Sequence, residues 1–209
     1  VCTRFLYIRD RILGKRVIHL GCVDHTVKKA MEKREENMWM HDYITQHASR
    51  CLGVDIAEEA VREVSREMDV DNIIAGDITG PPLEAITQSA WEYMVLAEVL
   101  EHIDNPVSFL QAIRENYRDR IKRVIITVPN ALYYRNFKYA AKHVEDINSD
   151  HRYWFTPYTL AKVLHQAGYH ILDISLCQDR KLKLFPIIPY IIRKRYPLLR
   201  SKIVAEASL

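Results

Sequence analysis

An α/β fold, with a parallel sheet covered on both faces by helices, is predicted by three observations. Short apolar runs end repeatedly in Gly, Asp or Pro, and segments with helical spacing of apolar residues fill the gaps between them. Near the end of the chain the alternation stops, and two strand-like runs follow one another. Parallel neighbours need right-handed crossovers, which the intervening helices supply.

Taken in order, residues 17–20 are closed by Gly21, 51–54 by Asp55, 72–75 by Gly76-Asp77, 93–97 by Glu98, and 124–128 by Pro129-Asn130. Met40, Tyr43, Ile44 and Ala48 share one helical face, as do Val61, Val64 and Met68. Asn105-Pro106 places an N-cap before a proline at the first helical position, ahead of Phe109, Leu110, Ile113 and Tyr117. Thr156-Pro157 repeats the device, and Gly168 stops that helix. Residues 171–177 and 202–207 read as strands with no good helix between them, which predicts an antiparallel pair at the sheet edge.

At 209 residues the chain fits a single domain over 1–209, with an insertion at about 178–200 between the last two strands. Its 48% hydrophobic and 27% charged composition is that of an ordinary globular protein, and a net charge of +3 is too small to argue for a nucleic-acid partner. Cys2, Cys22, Cys51 and Cys177 make no CxxC pair, so neither a metal site nor a disulfide framework is expected, and a reducing compartment suits them. No signal-peptide pattern opens the chain, and no stretch approaches the roughly 20 apolar residues that cross a bilayer. With a first residue other than Met, a trimmed or processed cytoplasmic protein is expected.

In open α/β sheets ligands bind beyond the carboxyl ends of the strands. Asp55, ending the second strand, can accept hydrogen bonds from both hydroxyls of a ribose; the alternative is a helix-capping acid, since Glu58 and Glu59 follow. Gly76 permits close backbone approach and Asp77 can accept from an exocyclic amine such as that of adenine, or simply close a turn. A nicotinamide fold needs G-x-G-x-x-G after the first strand and an acid about 20 residues later. Only Gly21 is present, and Asp55 comes much later. Because a pyrophosphate must be cradled closely by backbone, the missing glycines weigh against NAD more than against a sulfonium nucleoside.

Residues 17–22, Leu52-Gly53-Val54-Asp55-Ile56, Gly76-Asp77-Ile78, and Val95-Leu96-Ala97-Glu98-Val99-Leu100-Glu101-His102 form an ordered set. It resembles the class I S-adenosylmethionine-dependent methyltransferases, and within them the small-molecule group that includes the quinone-biosynthesis enzymes. The run from Ala97 to Ile103 followed by Asn105-Pro106 is its most specific part. Thr127-Val128-Pro129-Asn130 and His151-Arg152-Tyr153-Trp154-Phe155-Thr156-Pro157 continue the likeness, which spans roughly residues 15–177. The resemblance implies a Rossmann-like, doubly wound sheet of about seven strands with the last antiparallel. It implies S-adenosylmethionine as cofactor and S-adenosylhomocysteine as product. Gly21, Cys22 and Val23 would pack on the methionine part, Asp55 with Ile56 would hold the ribose, and Gly76, Asp77 and Ile78 would flank the adenine. Ala97, Glu98 and Val99 would line the floor below the sulfonium.

The first motif departs from the family's acid-x-Gly-x-Gly-x-Gly. His19 stands for the acid, and Val23 and His25 for two glycines. A charged stretch over 26–37 is expected to delay the first helix. Either the loop takes another path, with Asp24 or His25 replacing lost contacts, or cofactor affinity is reduced.

Methyl transfer from a sulfonium is an in-line displacement, so alignment and water exclusion dominate, and a hydroxyl or amine acceptor also needs a base. His102 and His151 are the candidate catalytic bases; the alternatives are a capping or core histidine for the first and a substrate-binding or packing loop histidine for the second. Glu101 either contacts a ligand or, more blandly, is an exposed acid. The expected acceptor is an O or N nucleophile, less readily C, of a small molecule such as a sugar, a lipid-linked compound or a quinone precursor. Residues 181–202 mix basic residues with apolar ones, and Pro186, Pro189 and Pro197 forbid one long helix. A lid, a homodimer contact or a peripheral membrane patch are the readings, with core packing or dimerisation favoured. A silent cofactor-binding or scaffolding domain is the main alternative function, and an NAD-dependent oxidoreductase the next. Nucleic-acid methylation is disfavoured by the lack of an Asn-Pro-Pro-aromatic motif.

Overall fold

Every apolar run named above is a strand. A computed structural model describes residues 2–24, 26–179 and 187–209. Its strands are β1 Arg16–Leu20, β2 Arg50–Asp55, β3 Ile73–Ala75, β4 Trp91–Ala97, β5 Ile121–Pro129, β6 His170–Cys177 and β7 Lys202–Ser208. They form one seven-stranded sheet in the order β3-β2-β1-β4-β5-β7-β6. The first five pair in parallel, and β7 runs antiparallel to both β5 and β6. The order reverses between β1 and β4, which opens the crevice that ligands use in such sheets.

Alternation along β1 and β4 divides the core. Ile18, Leu20, Met94 and Leu96 pack with Leu110, Ile113 and Tyr117 of α6 (Pro106–Tyr117) and with Leu160 and Leu164 of α8 (Pro157–Gln166). On the other face Val17, Tyr93 and Val95 meet Phe5, Ile8 and Ile12 of α1 (Arg4–Ile12) and Met40 and Ile44 of α3 (Met40–His47). A third cluster joins Val61, Val64 and Met68 of α4 (Glu58–Met68) to Ala30 of α2 (Val27–Glu35) and to Ile73. Short helices α5 (Glu84–Thr87) and α7 (Tyr134–Ala140) lie in the connections.

The expected caps form. Asn105 Oδ1 accepts from the Ser108 N–H at 3.1 Å, and Thr156 closes a reciprocal capping box with Thr159. Gly168 ends α8 at φ +84°, a left-handed conformation that favours glycine.

Two expectations need correction. The charged stretch after the first motif does not delay the helix: Thr26 caps α2 at its start. A helix also lies between the last two strands, α9 (Ile187–Arg195), followed by a 3-10 turn at Pro197–Leu199. Pro189 falls within its first turn, where backbone N–H groups have no helical partner, so the ring costs no hydrogen bond there. Leu182, Leu184, Phe185 and Pro186 of the proposed lid or patch lie outside the described residues, as does His25. Among the described residues no helix is long and apolar enough to cross a membrane.

Candidate active site

A cleft of about 1330 Å³ opens at the carboxyl ends of β1, β2, β3 and β4. Every cofactor and base candidate read from the sequence lines it: Gly21, Cys22, Val23, Asp55, Ile56, Gly76, Asp77, Ile78, Ala97, Glu98, Val99, His102 and His151.

The loop after β1 does take another path. Gly21 turns at φ +71°, and a Cβ there would lie 2.6 Å from Val99 Cγ2, so the position demands glycine twice over. The Trp39 indole N–H donates to the Cys22 carbonyl at 3.1 Å. Asp55 Oδ2 accepts from the Val23 N–H at 3.0 Å, and Oδ1 from the Ala57 N–H at 3.1 Å. Asp55 thus anchors the glycine-poor loop, a role the sequence reading gave to Asp24 or His25. Asp24 instead pairs with Lys33. Two carboxylate oxygens offer about four lone-pair directions, so Asp55 keeps capacity for ribose hydroxyls.

Gly76 packs its backbone against Leu83, whose side chain a Cβ would meet at 2.9 Å. Asp77 Oδ1 closes a turn by accepting from the Thr79 N–H and hydroxyl at 2.8 and 2.7 Å, bonds that hold its pKa below the usual carboxylate value. Ile78 is buried, while Ile56 is open to solvent over the rim.

At the tip of β4, Glu98 adopts φ +61° and donates its N–H to the Thr127 carbonyl at 3.0 Å. Its carboxylate bonds Lys202 and the Thr127 hydroxyl and lies 3.4 Å from Arg4, while Asp179 pairs with both cations. Burial opposes the Glu98 charge, but Lys202 and Arg4 beside it hold the carboxyl well below its ordinary pKa. Two acids and two bases thereby balance in the cleft floor. Arg4, Asp179 and Lys202 carried no sequence signal, being far apart in the chain and brought together only by α1 and β7.

The turn Leu100–His102 swings Glu101 inward. It is fully buried, correcting the exposed-acid expectation, and burial with the nearby Glu98 charge pushes its carboxyl up to about 8. Neither Glu101 oxygen has a hydrogen-bond partner among the described residues. His151 Nε2 stands 4.0 Å from Glu101 Oε1, and the His102 and His151 rings meet edge to face with centroids 4.7 Å apart. Burial first, then His102, lowers the His151 pKa, so the imidazole is neutral near pH 7. The His151 loop is tied to this turn by the Arg152 N–H on the Glu101 carbonyl at 2.8 Å and the Tyr153 hydroxyl on the Asp104 carbonyl at 2.6 Å. Ligand atoms of Glu101, His102 and His151 lie within 4.8 Å of one another, a donor set able to hold a divalent cation.

The chain matches the family model of the methyltransferase domain over residues 3–174. It is 24% identical over 184 residues to the ubiquinone biosynthesis O-methyltransferase of Aeromonas salmonicida (strain A449), covering 83% of this chain and 71% of that protein. Its fold is similar to that of an S-adenosylmethionine-dependent methyltransferase from Archaeoglobus fulgidus, with TM-score 0.53, 15% identity, and 97% and 90% of the two chains covered. It is likewise similar to the magnesium protoporphyrin IX methyltransferase of Synechocystis PCC 6803 bound to S-adenosylhomocysteine, with TM-score 0.56, 14% identity, and 98% and 78% coverage. With its switch-point cleft and strand-end residues in the expected order, the chain belongs to the methyltransferase-domain family, as a class I enzyme that uses S-adenosylmethionine.

Proposed function

We propose that this enzyme methylates an oxygen or nitrogen of a small molecule, and that His151 takes the proton from the acceptor. The observation that carries this reading is the placement of a neutral, half-buried imidazole beside His102 and the buried Glu101, at the tip of the strand that floors the cleft. The cofactor supplies an electrophilic methyl group already activated on sulfur. What remains for the chain is to align the acceptor, exclude water and hold the proton. The cleft exceeds the roughly 300–1,000 Å³ usual for one small ligand, which supports a second occupant. Likeness to an O-methyltransferase of ubiquinone biosynthesis supports a ring hydroxyl as the nucleophile.

Hydroxylated aromatic acceptors incubated with S-adenosylmethionine are expected to release S-adenosylhomocysteine. His151→Ala should lower kcat by about 10²–10⁴-fold while S-adenosylhomocysteine still binds. An unchanged kcat would remove His151 from the reaction. The unpartnered Glu101 oxygens and the close approach of the His102 and His151 nitrogens favour a second reading, in which the three hold a divalent cation that orients the acceptor. Turnover would then fall with a chelator and return with Mg²⁺ or Mn²⁺; turnover indifferent to both would exclude it.

A further inference from the structure

His19 carries a hydrogen-bond acceptor that the rest of the chain leaves unused. The residue is almost fully buried in β1 yet lines the cleft next to Gly21. Its Nδ1 lies 3.3 Å from Nδ1 of the buried His41, and His41 Nε2 lies 3.1 Å from Asn72 Oδ1. The Asn72 amide nitrogen reaches the Cys51 carbonyl at 3.3 Å and the Thr45 hydroxyl at 3.2 Å.

Proton positions follow from one fixed point. The Cys51 carbonyl can only accept, so the Asn72 NH₂ must face it, which turns Oδ1 toward His41. His41 therefore carries its proton on Nε2, and its Nδ1 is a bare lone pair. For the 3.3 Å contact to be a hydrogen bond, His19 must donate from Nδ1. Burial, then His41 and Arg4, oppose a second proton on His19, so its Nε2 is left bare as well. Among the described residues nothing donates to that nitrogen. A buried acceptor without a donor costs about 1–3 kcal/mol, which a ligand can recover by supplying one.

The strand order decides which donor arrives. Along β3-β2-β1-β4 the cleft presents Asp77 at the end of β3, Asp55 at the end of β2, His19 on β1 and Glu98 at the tip of β4. With the adenosine donors placed against the first two, the group that reaches β1 is the α-ammonium of the cofactor's amino-acid end. We propose that His19 Nε2 accepts a hydrogen bond from that ammonium, and that His41 and Asn72 are positioning residues that lock the required tautomer. The inference rests on the S-adenosylmethionine reading of the cleft and adds to it a neutral acceptor whose direction is set from as far away as β2.

Calorimetry with S-adenosylhomocysteine and its desamino analogue separates the two levels. If the wild type binds neither ligand, the cofactor reading itself fails. If the wild type binds, His19→Leu is expected to weaken S-adenosylhomocysteine by about 10–100-fold and to leave the desamino analogue within about twofold. His19→Gln, whose amide oxygen reaches the Nε2 position, should restore most of the difference; His19→Asn, which reaches only the Nδ1 position, should not. Equal losses for both ligands would overturn the ammonium contact. A readout needing no variant is the histidine ¹⁵N spectrum: His19 should be protonated on Nδ1 and His41 on Nε2, with the His19 Nε2 signal moving on S-adenosylhomocysteine addition but not on addition of the desamino analogue. The opposite tautomers, or a static Nε2 signal in the complex, would overturn the relay.

Discussion

Gly21→Ala tests the turn that brings the backbone of β1 to the cleft. The substitution places an L residue at φ +71°, where the left-handed conformation costs about 1–2 kcal/mol. It also sets a Cβ 2.6 Å from Val99 Cγ2, well inside the roughly 3.5–4.0 Å carbon–carbon optimum. Overpacking of this kind costs about 1–3 kcal/mol. Together these give a loss of about 2–5 kcal/mol, or a fall in Tm of roughly 4–20 °C at about 2–4 °C per kcal/mol for a chain of this size. Denaturant unfolding of Gly21→Ala, Val99→Ala and the double variant separates the two parts. Val99→Ala removes the clashing methyl but not the backbone strain, so the double variant should be more stable than the sum of the singles by about 1–3 kcal/mol. Additivity within about 0.5 kcal/mol would refute the steric half of the argument, and a Gly21→Ala protein as stable as the parent would refute both.

Asp55→Asn leaves one acceptor oxygen for two backbone donors, so the Val23 or Ala57 N–H loses its bond; S-adenosylhomocysteine affinity should drop about 10–100-fold by calorimetry. Glu206 accepts from Arg11 at 2.6 Å, Arg123 at 2.8 Å and the Tyr93 hydroxyl at 3.2 Å, so Glu206→Gln should cost about 1–3 kcal/mol at pH 7 in denaturant unfolding. Burial opposes its charge, but Arg11 and Arg123 hold its folded pKa below the unfolded value. Its contribution is therefore complete above the ordinary carboxylate range and disappears as the pH falls through the folded value, where the stabilities of parent and variant should converge. Thr156→Ala removes both bonds of the capping box at α8 and should lower stability by about 1 kcal/mol; a change below about 0.2 kcal/mol would show that the cap contributes little.

The strands were legible because a buried parallel strand writes itself as a short apolar run with a turn residue at its end, and Asp55 and Asp77 were found by standing at such ends. Elements that draw their stability from tertiary contact were harder to read. Helix α2 buries only Ala30, so its charged sequence carries almost no apolar stripe, although Thr26 was available as a cap. Helix α1 hides Phe5, Ile8 and Ile12 among five charged or hydroxyl-bearing neighbours' worth of polar surface, and α7 buries nothing at all. Within the site, the sequence gives no hint that Glu101 turns inward, because that direction is set by the 3-10 turn and by the loop of Arg152 and Tyr153 that holds it. The His19–His41 contact joins residues 22 apart with no motif between them, and only the sheet brings them face to face.

Strand β7 is inserted between β5 and β6, so the sheet closes only after its final strand slides into a slot between two that precede it in the chain. That strand begins with Lys202, which pairs with Glu98 across 104 residues. Until β7 is seated, Glu98 faces the reaction space without this counter-charge, and the methyl-transfer chamber has an incomplete floor. Assembly of the last edge and readiness for chemistry are thus one event, and a partly folded chain is kept from acting as a partly working enzyme.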